Sequence, residues 1–233
     1  MKSISMSAGN AQAILEGRKT ETRRLSKLKK VNAKPNDWEL IDCVLMDIGG
    51  IYGYWGYWSN SRDVREYKQV ARWHEHDILY IREPWKLIDN FPYNKEINGD
   101  IAVRVQYQTD PQLHTIWFNP ERYAALDVLR KADIKPAMFM PEEVSRIHVQ
   151  VEDVSIEQVQ DITRTGIIAE GIEVSKSNQS ICRFPNWSIH TKKAFRVPHE
   201  AWQWLWNSIN KNCRYEHNPW VWVIKFSTCG KDK

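Results

Sequence analysis

Cysteine is scarce: Cys43, Cys182, Cys213 and Cys229 are the only four among 233 residues, and no two stand in a C-x-x-C pair. That spacing offers no disulfide framework and no redox motif, so the thiols are expected to be reduced. Long apolar runs are missing as well. Stretches such as Ile167-Ile168-Ala169 and Ala137-Met138-Phe139-Met140 fall far short of the roughly 20 residues that cross a bilayer, so no membrane partner is expected. The opening MKSISMSAGN carries one Lys and no apolar stretch of signal-peptide length, which points to a cytoplasmic protein. No sign of charge dominates: 33 Lys plus Arg against 29 Asp plus Glu leave +4, which excludes a histone-like basic tail. There is no P-loop, no dinucleotide fingerprint and no Ser-centred elbow, so ATP and nicotinamide chemistry are not indicated and no cofactor is expected. His74-x-His76 could place two imidazoles on one side of a strand, but no matching Cys or carboxylate spacing accompanies them, and no metal is expected.

What remains is an ordinary globular composition, 42% hydrophobic and 27% charged, outside the range of disordered chains. Tryptophan is the oddity, with 12 residues. Aromatics serve either as core bulk or as platforms for bases, and stacking one base contributes about 1–3 kcal/mol without a highly charged protein.

Periodicity suggests a sequence of short strands with a few helices. Lys2 to Met6 reads as a strand, Ser7 as a helix cap, and Ala11, Ile14 and Leu15 as one helix face stopped by Gly17. Alternation then sets Thr20, Thr22 and Arg24 on one face of a strand. Residues 27–37 read as a surface loop, and the aromatic stretch 38–73 as a hairpin. Asp77 to Glu83, Ile101 to Tyr107 and Ser145 to Glu152 alternate as strands, with Ile147, Val149 and Val151 inward, and His114 to Phe118 pairs with the second. Ser155 to Ala169 carries helical signals in two short pieces, and 173–196 reads as a loop. Pro198 opens the strongest helix, whose Trp202, Leu205, Trp206 and Ile209 form a core stripe. Trp220 to Phe226 is a strand apolar on both faces. This mixture without regular βα alternation argues for an α+β fold around a small curled sheet or barrel.

The chemically informative stretch is Gly17-Arg18-Lys19-Thr20-Glu21-Thr22-Arg23-Arg24. Dense cations and hydroxyls suit phosphate oxygens, although a solvated basic edge strand would have the same composition. Ile14 to Arg24 resembles the signature G-x-K-x-x-[E/T]-x-R of the ASCH family, a PUA-like β-barrel superfamily, at every position. Asp77 to Trp85, Asp161 to Ile172 and Pro219 to Phe226 resemble further family segments, and the whole chain resembles larger ASCH proteins of bacteriophages and prophages. The resemblance implies a single PUA-like (ASCH) small β-barrel domain, flanked by helices, with large insertions at 38–73, 86–135 and 173–196. It also implies a bacterial or phage-infected cytoplasm, and recognition of nucleic acid, RNA ahead of DNA, or of a modified nucleoside.

One branch of the family removes the acetyl group of 4-acetylcytidine, and this chain resembles it at Lys19, Thr22 and Glu170. On that resemblance Thr22 Oγ1 attacks the acetamide carbonyl, Lys19 accepts its proton, and Glu170 orients Lys19 or handles the proton of the leaving amine. A basic Lys19 needs a pKa lowered by desolvation or by Arg18, Arg23 and Arg24. It must also sit in the turn after Gly17, since strict alternation would put it opposite Thr22. Substrate contacts are expected from Arg18, Arg23, Arg24, Glu83 and Trp85, the last as a stacking surface or as core. Two other readings stay open: a non-catalytic RNA- or DNA-binding module or ribonuclease, and a phage accessory protein that binds a protein partner through the Trp-rich insertions.

Overall fold

The computed structural model describes residues 1–45, 51–58, 64–88, 96–97, 100–119, 121, 134–175, 182–183 and 195–230. The molecule is a mixed α+β protein, mostly sheet with few helices. No helix among the described residues is long and apolar enough to cross a membrane.

The amino-terminal segment follows its local signals. Lys2–Ser5 forms β1, and Ser7 caps α1 (Ala8–Leu15) by accepting a hydrogen bond from the Asn10 amide at 3.2 Å. The buried helix face is Ala11, Ala13 and Ile14, whereas Leu15, expected to share it, is exposed. Gly17 ends the turn at a φ of +69°, which a Cβ would strain. β2 (Glu21–Arg24) follows. Residues 27–37 are not the expected surface loop: two short 3-10 turns bury Leu28, Val31 and Pro35 while Lys27, Lys29 and Lys30 stay exposed. Leu28 and Val31, three residues apart, fall on one side of this lysine-rich stretch, and the lysines fall on the other.

The aromatic stretch is a three-stranded antiparallel meander rather than a hairpin, built from β3 (Trp38–Leu45), β4 (Ile51–Trp58) and β5 (Val64–Val70). Gly49 and Gly50, read as part of it, lie outside the described residues. On β4 the pleat turns Ile51, Gly53 and Trp55 inward. Trp55 is fully buried and meets Trp220 and Trp222 edge-on, with ring centroids 6.1 and 6.5 Å apart. Gly53 has no room for a Cβ, which would overlap Ile156 Cδ1 and the Trp55 ring.

Next come β6 (Ile78–Arg82), β7 (Trp85–Ile88), β8 (Glu96–Ile97), β9 (Asp100–Tyr107) and β10 (Asp110–Phe118). β9 pairs with β7, β8 and β10 in a second sheet, and His114–Phe118 lies antiparallel to Ile101–Val105. β11 (His148–Gln158), α2 (Arg164–Ala169), β12 (Glu173–Val174), β13 (Cys182–Arg183), α3 (Pro198–Ile209) and β14 (Trp220–Cys229) complete the elements used below. The helical reading of 155–163 is corrected. β11 continues through Gln158 because β14 offers a full ladder, pairing Ser155 with Val223 and Gln158 with Trp220, and one helix then starts at Arg164 under a Thr163 cap. The loop expected at 173–196 contains the β12–β13 pair, and its residues 176–181 and 184–194 lie outside the described residues.

The main sheet runs β1-β6-β11-β14-β2, with only the β1–β6 pair parallel. Its edge strands β1 and β2 approach within side-chain reach, since Arg24 Nη2 of β2 donates to Ser5 O of β1 at 2.9 Å. The sheet is therefore curled. One core cluster fills its concavity and includes Ile4, Ile14, Leu79, Val149, Trp222 and Ile224. A second joins Val221 to Trp202, Leu205 and Trp206 of α3, and a third centres on Trp85, Val105 and Phe118.

Candidate functional site

Lys19 sits between the Gly17 turn and β2, not inside the strand. The Arg18 and Lys19 amides both donate to Ala13 O, at 2.9 and 3.0 Å, and Lys19 forms a single antiparallel bridge with Glu170 at the end of α2. Gly171, at a φ of +94°, lets this junction close: a Cβ there would stand 3.2 Å from Ala13 Cβ and 3.3 Å from Lys19 Cβ. The alternation that would oppose Lys19 to Thr22 therefore does not apply.

Lys19 is 2% exposed and Glu170 5%. Lys19 Nζ donates to Glu170 Oε2 and, at 3.0 Å, to the Glu170 carbonyl. The second carboxylate oxygen takes Arg23 Nη1 at 3.2 Å, while Arg23 Nε donates to Glu157 at 2.6 Å and the guanidinium lies 5.7 Å from the Trp202 ring centre. Burial pushes Lys19 below the usual lysine range; Glu170 opposes this, and Arg24 and Arg23 add to it. Burial likewise raises Glu157 against the pull of Arg23.

Within β2 the register with β14 separates two faces. Glu21 and Arg23 lie opposite Lys225 and Val223, whereas Thr22 and Arg24 lie opposite Ile224 and Trp222, toward the concave core. Thr22 is 3% exposed, and its hydroxyl has no hydrogen-bond partner among the described residues; neither bond of Lys19 Nζ goes to it. Arg24 Nη2 is held by Ser5 O and by Met6 Sδ at 3.0 Å, while Nε is buried without a partner. Arg18 lies outside this group, clamping the turn through Glu16, Glu173 and the Gly171 carbonyl.

Glu83 and Trp85 belong to a second polar cluster. Arg146 grips Glu83 with two bonds, at 2.8 and 3.1 Å, and reaches Asp110 at 2.7 Å; His114 Nε2 bonds the same Asp110 oxygen at 2.9 Å. The Arg146 guanidinium stacks 4.1 Å from the Tyr107 ring centre. Burial raises Glu83 against Arg146, and bonds from Gln112 N, His114 and Arg146 lower Asp110. Trp85 has 0% exposure, under the Lys135 ammonium, so no ring face is open for a base. A cleft of about 420 Å³ passes beside it, lined by Lys86, Gln106, Tyr107, Asp110 and Ile134 among others. No cluster of metal-ligating side chains occurs among the described residues.

Sequence reasoning thus missed Glu157, Arg146, Asp110 and His114. Glu157 was hidden in a segment read as helix. Arg146 was visible only as a charged residue at the start of an alternating strand, and its carboxylate partners come from distant positions. Comparison with protein-family models, curated proteins and solved structures finds no match to this chain.

Proposed function

We propose that this chain is an ASCH-type protein with a PUA-like curled sheet that recognises a nucleic acid or modified nucleoside, and that it deacylates a 4-acetylcytidine-type amide through Lys19, Thr22 and Glu170. The observation that carries this reading is the buried Lys19–Glu170 pair at the mouth of β2, beside a strand face bearing an uncommitted Thr22 hydroxyl. A lysine in plain solvent is protonated at neutral pH and cannot serve as a base. Burial of Lys19 lowers the proton affinity in the direction such a role needs. The closeness of β1 and β2 supports the barrel-like reading of the sheet.

In this mechanism the Thr22 Oγ1–H bond breaks as its proton passes to the neutral Lys19 amine, and Oγ1 bonds to the acetamide carbonyl carbon. The C–N bond then breaks, the exocyclic amine leaves with a proton from Lys19, and an acetyl ester remains on Thr22. Water releases acetate by the reverse proton route. Glu170 orients the amine throughout, and Arg23 holds the far side of that carboxylate.

The test is cytidine release from 4-acetylcytidine by the purified protein, with Lys19→Ala and Thr22→Ala in parallel. The expected result is turnover that Thr22→Ala abolishes and Lys19→Ala lowers by on the order of 10²–10⁴-fold. Well-folded protein without turnover would reject the hydrolase and leave a binding module.

A further inference from the structure

Three elements are built around the guanidinium of Arg23. From β11, Glu157 accepts its Nε at 2.6 Å; at the end of α2, Glu170 Oε1 accepts Nη1 at 3.2 Å; and Trp202 of α3 lies against it. Glu21, on the same strand, accepts Nη1 at 3.3 Å. α2 leaves room for the group at Gly166, where a Cβ would stand 2.8 Å from Nη2. The consequence falls on Glu170, whose two oxygens are divided: Oε2 takes Lys19 and Oε1 takes Arg23. The carboxylate cannot turn about its last bond without breaking one of these contacts. A carboxylate that faced the ammonium alone would hold its proton tightly. A guanidinium on the opposite oxygen opposes that hold, and it stays charged at any physiological pH.

We propose that Arg23 is a positioning residue for the Lys19 base: by holding the far oxygen of Glu170 it fixes the carboxylate against the amine and offsets its charge, so that Lys19 can part with a proton, while Glu157 anchors the guanidinium in that pose. The proposal rests on the reading of Lys19 as a base and names what controls it. Arg23 lies on the face of β2 opposite Thr22, so it acts through Glu170 and not on a substrate. At Lys19, burial and the cations Arg24 and Arg23 disfavour the ammonium, and Glu170 favours it. Around Arg23, Asp161 acts on Glu157, Lys225 of β14 faces Glu21 and Arg23 while bonded to Asp153, and Arg18 is turned onto Glu16 and Glu173. The signs are therefore opposite: losing the Arg23 charge strengthens proton binding at Lys19, and losing the Glu157 charge weakens it. A role in packing alone gives another pattern, because either change would then admit water and move Lys19 toward the ordinary lysine range.

The decisive experiment titrates the Cε resonance of Lys19 by NMR in the full chain, with the signal identified by its loss in Lys19→Met, for the wild-type protein, Arg23→Gln and Glu157→Gln. Arg23→Gln is expected to bind the Lys19 proton roughly ten-fold or more tightly than the wild type. Glu157→Gln, which removes the charge but keeps an acceptor for Nε, is expected to bind it more weakly. Tighter binding in Arg23→Gln with no tightening in Glu157→Gln supports the assignment. Unchanged or weaker binding in Arg23→Gln, or tightening in both variants, overturns it. Should Arg23→Gln fail to fold, Glu157→Gln decides alone: weaker binding supports the assignment, and unchanged or tighter binding overturns it. The titration needs no substrate, so the two readings fail separately. Turnover of 4-acetylcytidine with a Lys19 titration that Arg23→Gln leaves unmoved would reject the role of Arg23 and spare the hydrolase. The expected titration without turnover would reject the hydrolase and spare the coupling of Arg23 to Lys19.

Discussion

Glu170 accepts bonds from two buried cations at once, and its removal takes from Lys19 its one carboxylate partner among the described residues while Arg23 keeps Glu157 and Glu21. Glu170→Ala should therefore destabilise the fold by about 3–5 kcal/mol, the range for truncating one partner of a buried pair, as read from urea unfolding midpoints. Lys19 carries a pH signature of its own. Its folded pKa lies below the ordinary 10.5, because burial outweighs Glu170. Between those two values the unfolded chain binds more protons than the folded one, so stability rises with pH across that window. Unfolding midpoints measured at several alkaline pH values should show this slope, and Lys19→Met should flatten it. These residues were half visible in the sequence. The G-x-K-x-x-T-x-R spacing singles out Lys19, Thr22 and Arg24, but nothing local says that Glu170 and Glu157, 151 and 134 residues away from their partners Lys19 and Arg23, come to meet them.

Strands and helices inherit their faces from such spacing wherever one side is plainly apolar. α3 turns Trp202, Leu205 and Trp206 into the core as its stripe predicts, whereas Ile209, expected as its fourth member, is exposed at the helix end; β14 is buried on both faces from Trp220 to Ile224. The failures share one cause. Ser155–Gln158 and the lysine-rich 27–37 segment are short, and their conformation is set by partners: β14 extends the first as strand, and the aromatic core draws Leu28 and Val31 of the second inward. Gly53 tests how tightly the meander is seated on that core. Gly53→Ala drives a methyl group into Ile156 and the rigid indole of Trp55, and should cost about 1–3 kcal/mol by overpacking, seen as a lowered melting temperature.

Across the molecule, the segments read as insertions are not equivalent. The β3–β5 meander reaches the main core through Trp55, whereas β7, β9 and β10 gather a core cluster of their own around Trp85. Trp55→Ala should therefore weaken the whole fold by about 3–5 kcal/mol, with a single unfolding transition shifted for probes on both sheets. A meander that unfolds separately, leaving the main sheet's transition unmoved, would contradict this coupling. The two polar clusters follow the same division. Lys19, Arg23 and Glu170 join α2 to β2, while Glu83, Arg146 and Asp110 tie β10 to the segments that flank β6. The expected single pocket containing both Glu83 and Lys19 is thus drawn as two centres, with Trp85 as packing at the second.

Local order alone carried the capped first helix, the glycine turn after it, the cation-rich strand and the alternating strands, because each depends on neighbours a few positions away. The three-dimensional arrangement alone decided which charges are paired. Ion pairing inside a protein depends on burial and on groups brought from distant positions, so Arg23 gained three carboxylates while its neighbour Arg24 pairs with none among the described residues. Adjacent residues of a strand point to opposite faces, and here one face meets acids and the other meets the core.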